Sequence, residues 1–222
     1  MDKINLEMVK NSFHISYSFF ITTGTICLIE SLRTKDAKIR HIMNIETCIS
    51  IVATIFYGKF IEMIKDKEKH IDIDYEKINL IRYIDWFLST PLMLLGLSLV
   101  FTYNLKIELK FKQFLIMILL NFGMLLFGYL GEINKINKQF ALTGGFILFA
   151  FLFYYIYSQF IRNKKNTQNF VIYMIFLIIW SIYGIVYLNS LEIKNIIFNI
   201  LDVIAKCIVG IGFWAYLTGI FH

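Results

Sequence analysis

The sequence predicts an all-α membrane protein, a bundle of seven spanning helices. Of its 222 residues, 58% are hydrophobic and only 17% are charged, too apolar a balance for a soluble domain of this length. Apolar runs long enough to cross a hydrocarbon core recur seven times along the chain, separated by short polar breaks. One proline and twelve glycines leave little material for extended loops. Strands are disfavoured as spanning elements because a lipid-exposed sheet edge leaves backbone groups unsatisfied.

In chain order the spans fall at about 11–32, 41–64, 78–101, 111–130, 139–161, 170–189 and 196–220. The polar breaks RTKDAKIRH, KDKEKHIDIDYEK, TYNLKIELK, GEINKINK, RNKKNTQN and NSLEIKN set their limits. Connections this short make neighbouring helices antiparallel, in one domain over residues 1–222. The second break is the longest, and its alternation at IDIDY suits a small hairpin. The first ten residues are polar and mixed in charge, unlike a signal peptide. The first apolar run is therefore expected to stay in the mature chain.

Cys27, Cys48 and Cys207 all lie in apolar runs without metal-site spacing, and read as packing residues. No metal is expected. The net charge of +6 suits loops at a lipid surface, and no basic–aromatic platform for nucleic acid lies outside the apolar runs. With the N-terminus outside, the inner loops hold Arg33, Lys35, Lys38, Arg40, Lys106, Lys110, Lys112, Arg162, Lys164 and Lys165, against only Asp36 and Glu108. The outer segments hold about as many basic residues but many more acids. Counting Lys and Arg alone nearly ties, so the loops favour an extracellular N-terminus only through their acids.

Six ionisable residues fall at membrane depth: Glu30, Glu46, Arg82, Asp85, Asp202 and Lys206. Each costs roughly 2.5–3.5 kcal/mol at mid-bilayer and calls for a partner. Asp202 and Lys206 lie one turn apart on one face, as do Arg82, Asp85 and Ser89. One internal cluster of two cations and two aspartates is the economical arrangement. A structural ion network is the plain reading of it. A desolvated lysine amine also favours Schiff-base chemistry with an aldehyde. The resulting cation would need Asp85 and Asp202 nearby, with Arg82 balancing the extra negative charge.

The segments RYIDWFLSTPLML (82–94) and LDVIAKCIVGIGFWAY (201–216) closely resemble the corresponding helices of microbial (type 1) rhodopsins. WSIYG (180–184) resembles their third pocket motif, with Gly184 where many have proline. The resemblance covers the whole chain and implies an extracellular N-terminus. It implies all-trans retinal bound to Lys206 as a protonated Schiff base. Asp85 would be the primary counter-ion and proton acceptor, Asp202 the second counter-ion, and Arg82 their extracellular neighbour. Trp86, Thr90, Met93, Trp180, Tyr183 and Tyr57 would line the retinal, although aromatics at helical spacing are usually core. Apolar Met93 at a tuning position suggests green absorption. Pro91 breaks the backbone bond to residue 87, and Thr90 is expected to bond a freed carbonyl or Asp85.

By the same resemblance, Asp85 with Ser89 one turn on is the pattern of proton pumps, not of chloride or sodium pumps. Their usual donor carboxylate is replaced by Gly96, and Glu46 is the natural substitute, kept protonated by burial until needed. The plainer reading of Glu46 is a carboxyl bonded to a backbone carbonyl. Glu30, Arg40, His41, Glu46 and Trp214 together resemble the viral rhodopsins of large DNA viruses, group two. There the helix B glutamate is the donor, and the other residues shape a pentamer interface; a simple loop salt bridge between Glu30 and Arg40 competes with that reading. The Lys-, Asn- and Ile-rich composition fits an AT-rich genome, and a viral origin would place the protein in a host-cell membrane.

The implied function is a light-driven outward proton pump, not an enzyme. Glu76 and Glu192 read as loop acids, and no release group stands out. A light-gated cation channel is the second reading, weakened by apolar Ala53 where viral group one carries a second glutamate. A photosensory rhodopsin with a separate transducer is the third, and a structural bundle without retinal the last.

Overall fold

The computed structural model describes residues 3–65 and 73–220, with side chains from residue 7 onward. Its seven long apolar helices are α1 Lys3–Arg33, α2 Ala37–Lys65, α3 Tyr75–Leu105, α4 Phe111–Glu132, α5 Lys138–Phe160, α6 Thr167–Val186 and α7 Leu191–Thr218. No strand occurs among the described residues. Most helices outrun their apolar stretches, because caps rather than hydropathy set their ends. The Asp74 carboxylate accepts the Lys77 N–H at 2.9 Å, and Asn166 accepts that of Asn169 at 2.8 Å. Lys106 closes α3 in the left-handed conformation, φ 54°.

Part of the expected hairpin, Ile71 and Asp72, lies outside the described residues. Of the rest, Ile73 precedes the helix, Asp74 caps α3 and Tyr75 is its first residue. Glu76 and Glu192, expected in loops, occupy the first turns of α3 and α7, where the helix dipole favours an acid.

Sequential helices pack side by side, and α7 closes the ring against α1 and α6. Buried side chains form two clusters. One joins α1, α2, α3 and α7 through Phe13, Phe20, Tyr57, Phe60, Ile78 and Cys207. The larger one draws on all seven helices, through Cys27, Met43, Trp86, Met117, Phe153, Trp180 and Phe213 among others. Ile55, Leu88, Phe151 and Ile185 face outward, as a lipid-facing surface requires. Cys27 and Cys207 are buried as expected, but Cys48 is exposed and does not pack in the core.

Two features bend the helices that matter most. Pro91 sits inside α3 and cannot donate to the Phe87 carbonyl. Thr90 Oγ1 donates to the Trp86 carbonyl at 2.7 Å, not to Phe87 or Asp85, because a helical threonine reaches back four residues. Asn121 of α4 donates to the same Oγ1 at 2.7 Å and braces the break. In α7, residues Val203–Ile208 form a π turn that contains Lys206, a common device at functional sites.

A buried ion pair outside the predicted set joins α4 to α7, with Lys194 Nζ 2.6 Å from Glu132 Oε1. Removing one partner leaves an uncompensated charge. Glu132→Ala is expected to destabilise the bundle by about 3–5 kcal/mol, read as a lower thermal midpoint in detergent. The double variant with Lys194→Met should recover most of that loss.

Candidate functional site

The site begins where the polar faces of α3 and α7 meet. Arg82, Asp85 and Ser89 line one, and Asn195, Asn199, Asp202 and Lys206 line the other; all seven are buried. Lys206 Nζ donates to Asp85 Oδ2 at 2.8 Å and lies 3.7 Å from Asp202 Oδ2. Arg82 Nη1 lies 3.4 Å from the same Asp202 oxygen. The predicted cluster of two cations and two carboxylates therefore forms, and it is neutral overall.

The two carboxylates differ sharply in their partners. Asp202 accepts from Tyr57 Oη at 2.9 Å, Trp86 Nε1 at 3.2 Å and Tyr183 Oη at 2.7 Å, besides Arg82. Asp85 has the lysine alone, and its Oδ1 finds no partner among the described residues; neither does the adjacent Ser89 Oγ. While its Nε has no partner among the described residues, Arg82 is held through its two terminal nitrogens. It donates to Tyr57 Oη at 3.0 Å, Asn195 Oδ1 at 3.0 Å and Asn199 Oδ1 at 2.8 Å. The rings of Phe13, Tyr57, Phe60 and Phe198 lie 5.1–5.8 Å from its guanidinium carbon.

Lys206 and Asp202 also border a cavity of about 120 Å³ whose other walls are mostly apolar and aromatic. Trp86, Thr90, Met93, Trp180 and Tyr183 line it. Tyr57 does not. It sits beyond the carboxylates among Phe13, Phe20 and Phe60, bonded to Asp202 and Arg82. Gly184 joins the lining: a Cβ there would fall 2.5 Å from Phe146 Cζ, so Phe146 occupies the space a larger residue would need. Asn195 and Asn199 escape a reading of the sequence for charges, although their spacing from Asp202 continues the polar face of α7. Asn121 gives no such signal.

The remaining candidates lie toward the loop joining α1 and α2. Glu46 is buried on α2. Glu30 Oε2 accepts from Trp214 Nε1 at 3.3 Å, while exposed Arg40 donates to the Thr34 carbonyl at 2.9 Å and His41 is exposed. The loop salt bridge is therefore replaced by these two separate bonds.

Residues 8–220 match the family model described as bacteriorhodopsin-like protein. The chain is 26% identical over 149 residues to the green-light absorbing proteorhodopsin of gamma-proteobacterium EBAC31A08, covering 60% of this chain and 59% of that one. It is 28% identical over 151 residues to sensory rhodopsin-2 of Natronomonas pharaonis, with the same coverage. The match thus spans under two thirds of these curated relatives. Among solved structures, viral rhodopsin OLPVRII is 43% identical, with a TM-score of 0.88 over 96% of this chain and 99% of that one. Xanthorhodopsin, described as a light-driven ion pump with dual chromophore, shares the fold at 18% identity and a TM-score of 0.80, over 96% and 94% of the two chains.

The matched family implies a retinal chromophore, and the residues present fit one. An amine stands at the edge of an apolar, aromatic-walled cavity, with carboxylates beside it for a cation. Lys206→Ala, supplied with retinal, is expected to lose all visible absorption. A visible band retained in that variant, recorded by absorption spectroscopy, would place the attachment elsewhere.

Proposed function

The chain belongs to the bacteriorhodopsin-like family of microbial rhodopsins, and we propose that it is a light-driven outward proton pump using all-trans retinal, with its N-terminus extracellular. The observation that carries this reading is the unequal pair of carboxylates. Asp202 is stabilised as an anion by four donors from Tyr57, Arg82, Trp86 and Tyr183. Asp85 relies on Lys206 alone.

Retinal bound at Lys206 supplies light absorption and an isomerisation that loosens the nitrogen's hold on its proton. Asp85 Oδ2, 2.8 Å away, is placed to receive that proton. Losing the neighbouring positive charge would leave Asp85 a buried anion without a partner, which protonation relieves. Asp202 keeps its charge because its donors remain. Trp86, Met93, Trp180 and Tyr183 hold the polyene and keep water from it. Glu46, a buried carboxyl without a cationic partner among the described residues, stays neutral and returns a proton from the cytoplasmic side. Apolar Met93 favours green absorption.

A photosensory role is the second reading, supported by the match to a sensory rhodopsin and by Gly96 in place of a donor carboxylate; it requires a transducer partner. The channel reading is weakened by buried, apolar Ala53 on α2. Glu30, Arg40, His41 and Trp214 fit the contact zone of a homopentamer in the lipid bilayer, and a viral origin would put it in a host-cell membrane.

Green light on an unbuffered suspension of expressing cells should acidify the medium, and a protonophore should abolish the signal. Absence of any pH change from a coloured protein would reject pumping and favour the sensor or channel. Asp85→Asn should shift the absorption to the red and stop transport, because the anion nearest the cation is gone. Glu46→Gln should slow recovery of the proton at Lys206 by about 10²-fold in flash photolysis, leaving its loss unchanged.

A further inference from the structure

Glu46 and Lys206 stand on different levels of the bundle. We propose that Thr23 of α1 and Ser50 of α2 form a two-hydroxyl relay carrying the proton from Glu46 to the Lys206 nitrogen. The inference rests on the donor role given to Glu46 above.

The carboxyl of Glu46 is wedged between two glycines on two other helices. A Cβ on Gly96 of α3 would fall 2.8 Å from Oε1, and one on Gly210 of α7 would fall 2.9 Å from Oε2. Thr23 Cγ2 approaches the same Gly210 position, at 3.4 Å. Thr23 and the Glu46 carboxyl therefore both face Gly210. Along α1, Phe20 precedes Thr23 by about one turn, and Lys206 Nζ lies 5.8 Å from the Phe20 ring. Thr23 thus stands between the level of the amine and that of the carboxyl. On α2, Ser50 lies one turn from Glu46 toward Tyr57, and its Cβ lies 3.0 Å from the place of a Cβ on Gly24, next to Thr23. Ser50 thus packs at the α1–α2 contact against Gly24, the chain neighbour of Thr23.

Their hydrogen bonding sets them apart. Ser18, Thr22 and Thr25 on α1, and Thr47 and Thr54 on α2, each turn the hydroxyl back to the carbonyl four residues earlier. Thr23 Oγ1 and Ser50 Oγ are buried and neither bonds a backbone carbonyl; the one group that approaches Thr23 is the Cys207 thiol, a weak partner next to Lys206. Buried hydroxyls of this kind are satisfied by internal water, and a hydroxyl both accepts and donates. The Glu46 carboxyl gives up its proton, each hydroxyl takes one and hands on its own through bridging water, and the last proton reaches the Lys206 nitrogen. Glu46 is left as a carboxylate and is refilled from the end of the bundle that carries the α1–α2 loop.

The test compares Thr23→Val, Ser50→Ala and their double variant with Glu46→Gln, all reconstituted with retinal. Flash photolysis should show proton return to Lys206 slowed on the order of tenfold in each single variant and further in the double one. Absorption maximum and proton loss should be unchanged, and added azide, a small proton carrier, should restore the rate. In the retinal-free protein, the infrared carboxyl stretch that disappears in Glu46→Gln should move in the double variant. If Glu46→Gln slows return but the double variant does not, or azide fails to rescue the double variant, the relay is overturned and the donor stands. An immobile carboxyl band also overturns the relay. Unslowed return in Glu46→Gln overturns donor and relay together.

Discussion

Two cations and two carboxylates in the middle of an apolar bundle must neutralise one another, because each charge loses several kcal/mol of hydration on leaving water. Lys206, Arg82, Asp85 and Asp202 do so within a few ångströms. The neutrality is achieved unevenly. Arg82 commits its two terminal nitrogens to Tyr57, Asn195, Asn199 and Asp202 and lies among four aromatic rings. That half of the cluster is stiff. The Lys206–Asp85 contact is a single bond, with one carboxylate oxygen left over. A change in charge on the lysine nitrogen is therefore felt first at Asp85.

The helices that carry these groups are irregular where the cluster needs them to be. A regular α-helix would spread the side chains of α7 evenly, whereas the π turn at Val203–Ile208 shifts Lys206 relative to Asp202. Pro91 removes a backbone bond from α3 one turn beyond Phe87, beside the cavity that Thr90 and Met93 line. Asn121 reaches over from α4 to hold Thr90, so the break is supported from outside its own helix. Both irregularities sit against the cavity and are offset by packing from neighbours.

The spans and the four central charges are legible in the sequence because both are local signals. Hydropathy marks each run, and spacing of three or four residues puts Arg82 with Asp85 and Asp202 with Lys206. Helix ends are less legible, since Asp74 and Asn166 act through single side-chain bonds that hydropathy does not register. Tyr57 reads as a cavity residue because an aromatic at helical depth carries no mark of which side of an ion cluster it faces. The structure puts it on the Arg82 side. Lys194 and Glu132 go unnoticed because each sits near a span end, where a charge is ordinary, and their pairing spans 62 residues.

Gly96 is the residue whose meaning changes most between chain and structure. In the sequence it is a missing carboxylate on α3. In the bundle it is the space that a carboxylate from α2 fills, since a Cβ there would fall 2.8 Å from Glu46 Oε1. Gly210 closes the other side at 2.9 Å from Oε2. An acid at position 96 and a glutamate at position 46 would compete for one volume in a close-packed interior. The gap on α3 and the acid on α2 are thus a single feature, divided among three helices. Gly184 follows the same rule on the far side of the cavity, where Phe146 of α5 takes the place that a larger residue on α6 would occupy. In both cases a glycine records the size of its neighbour, and the neighbour is remote in sequence.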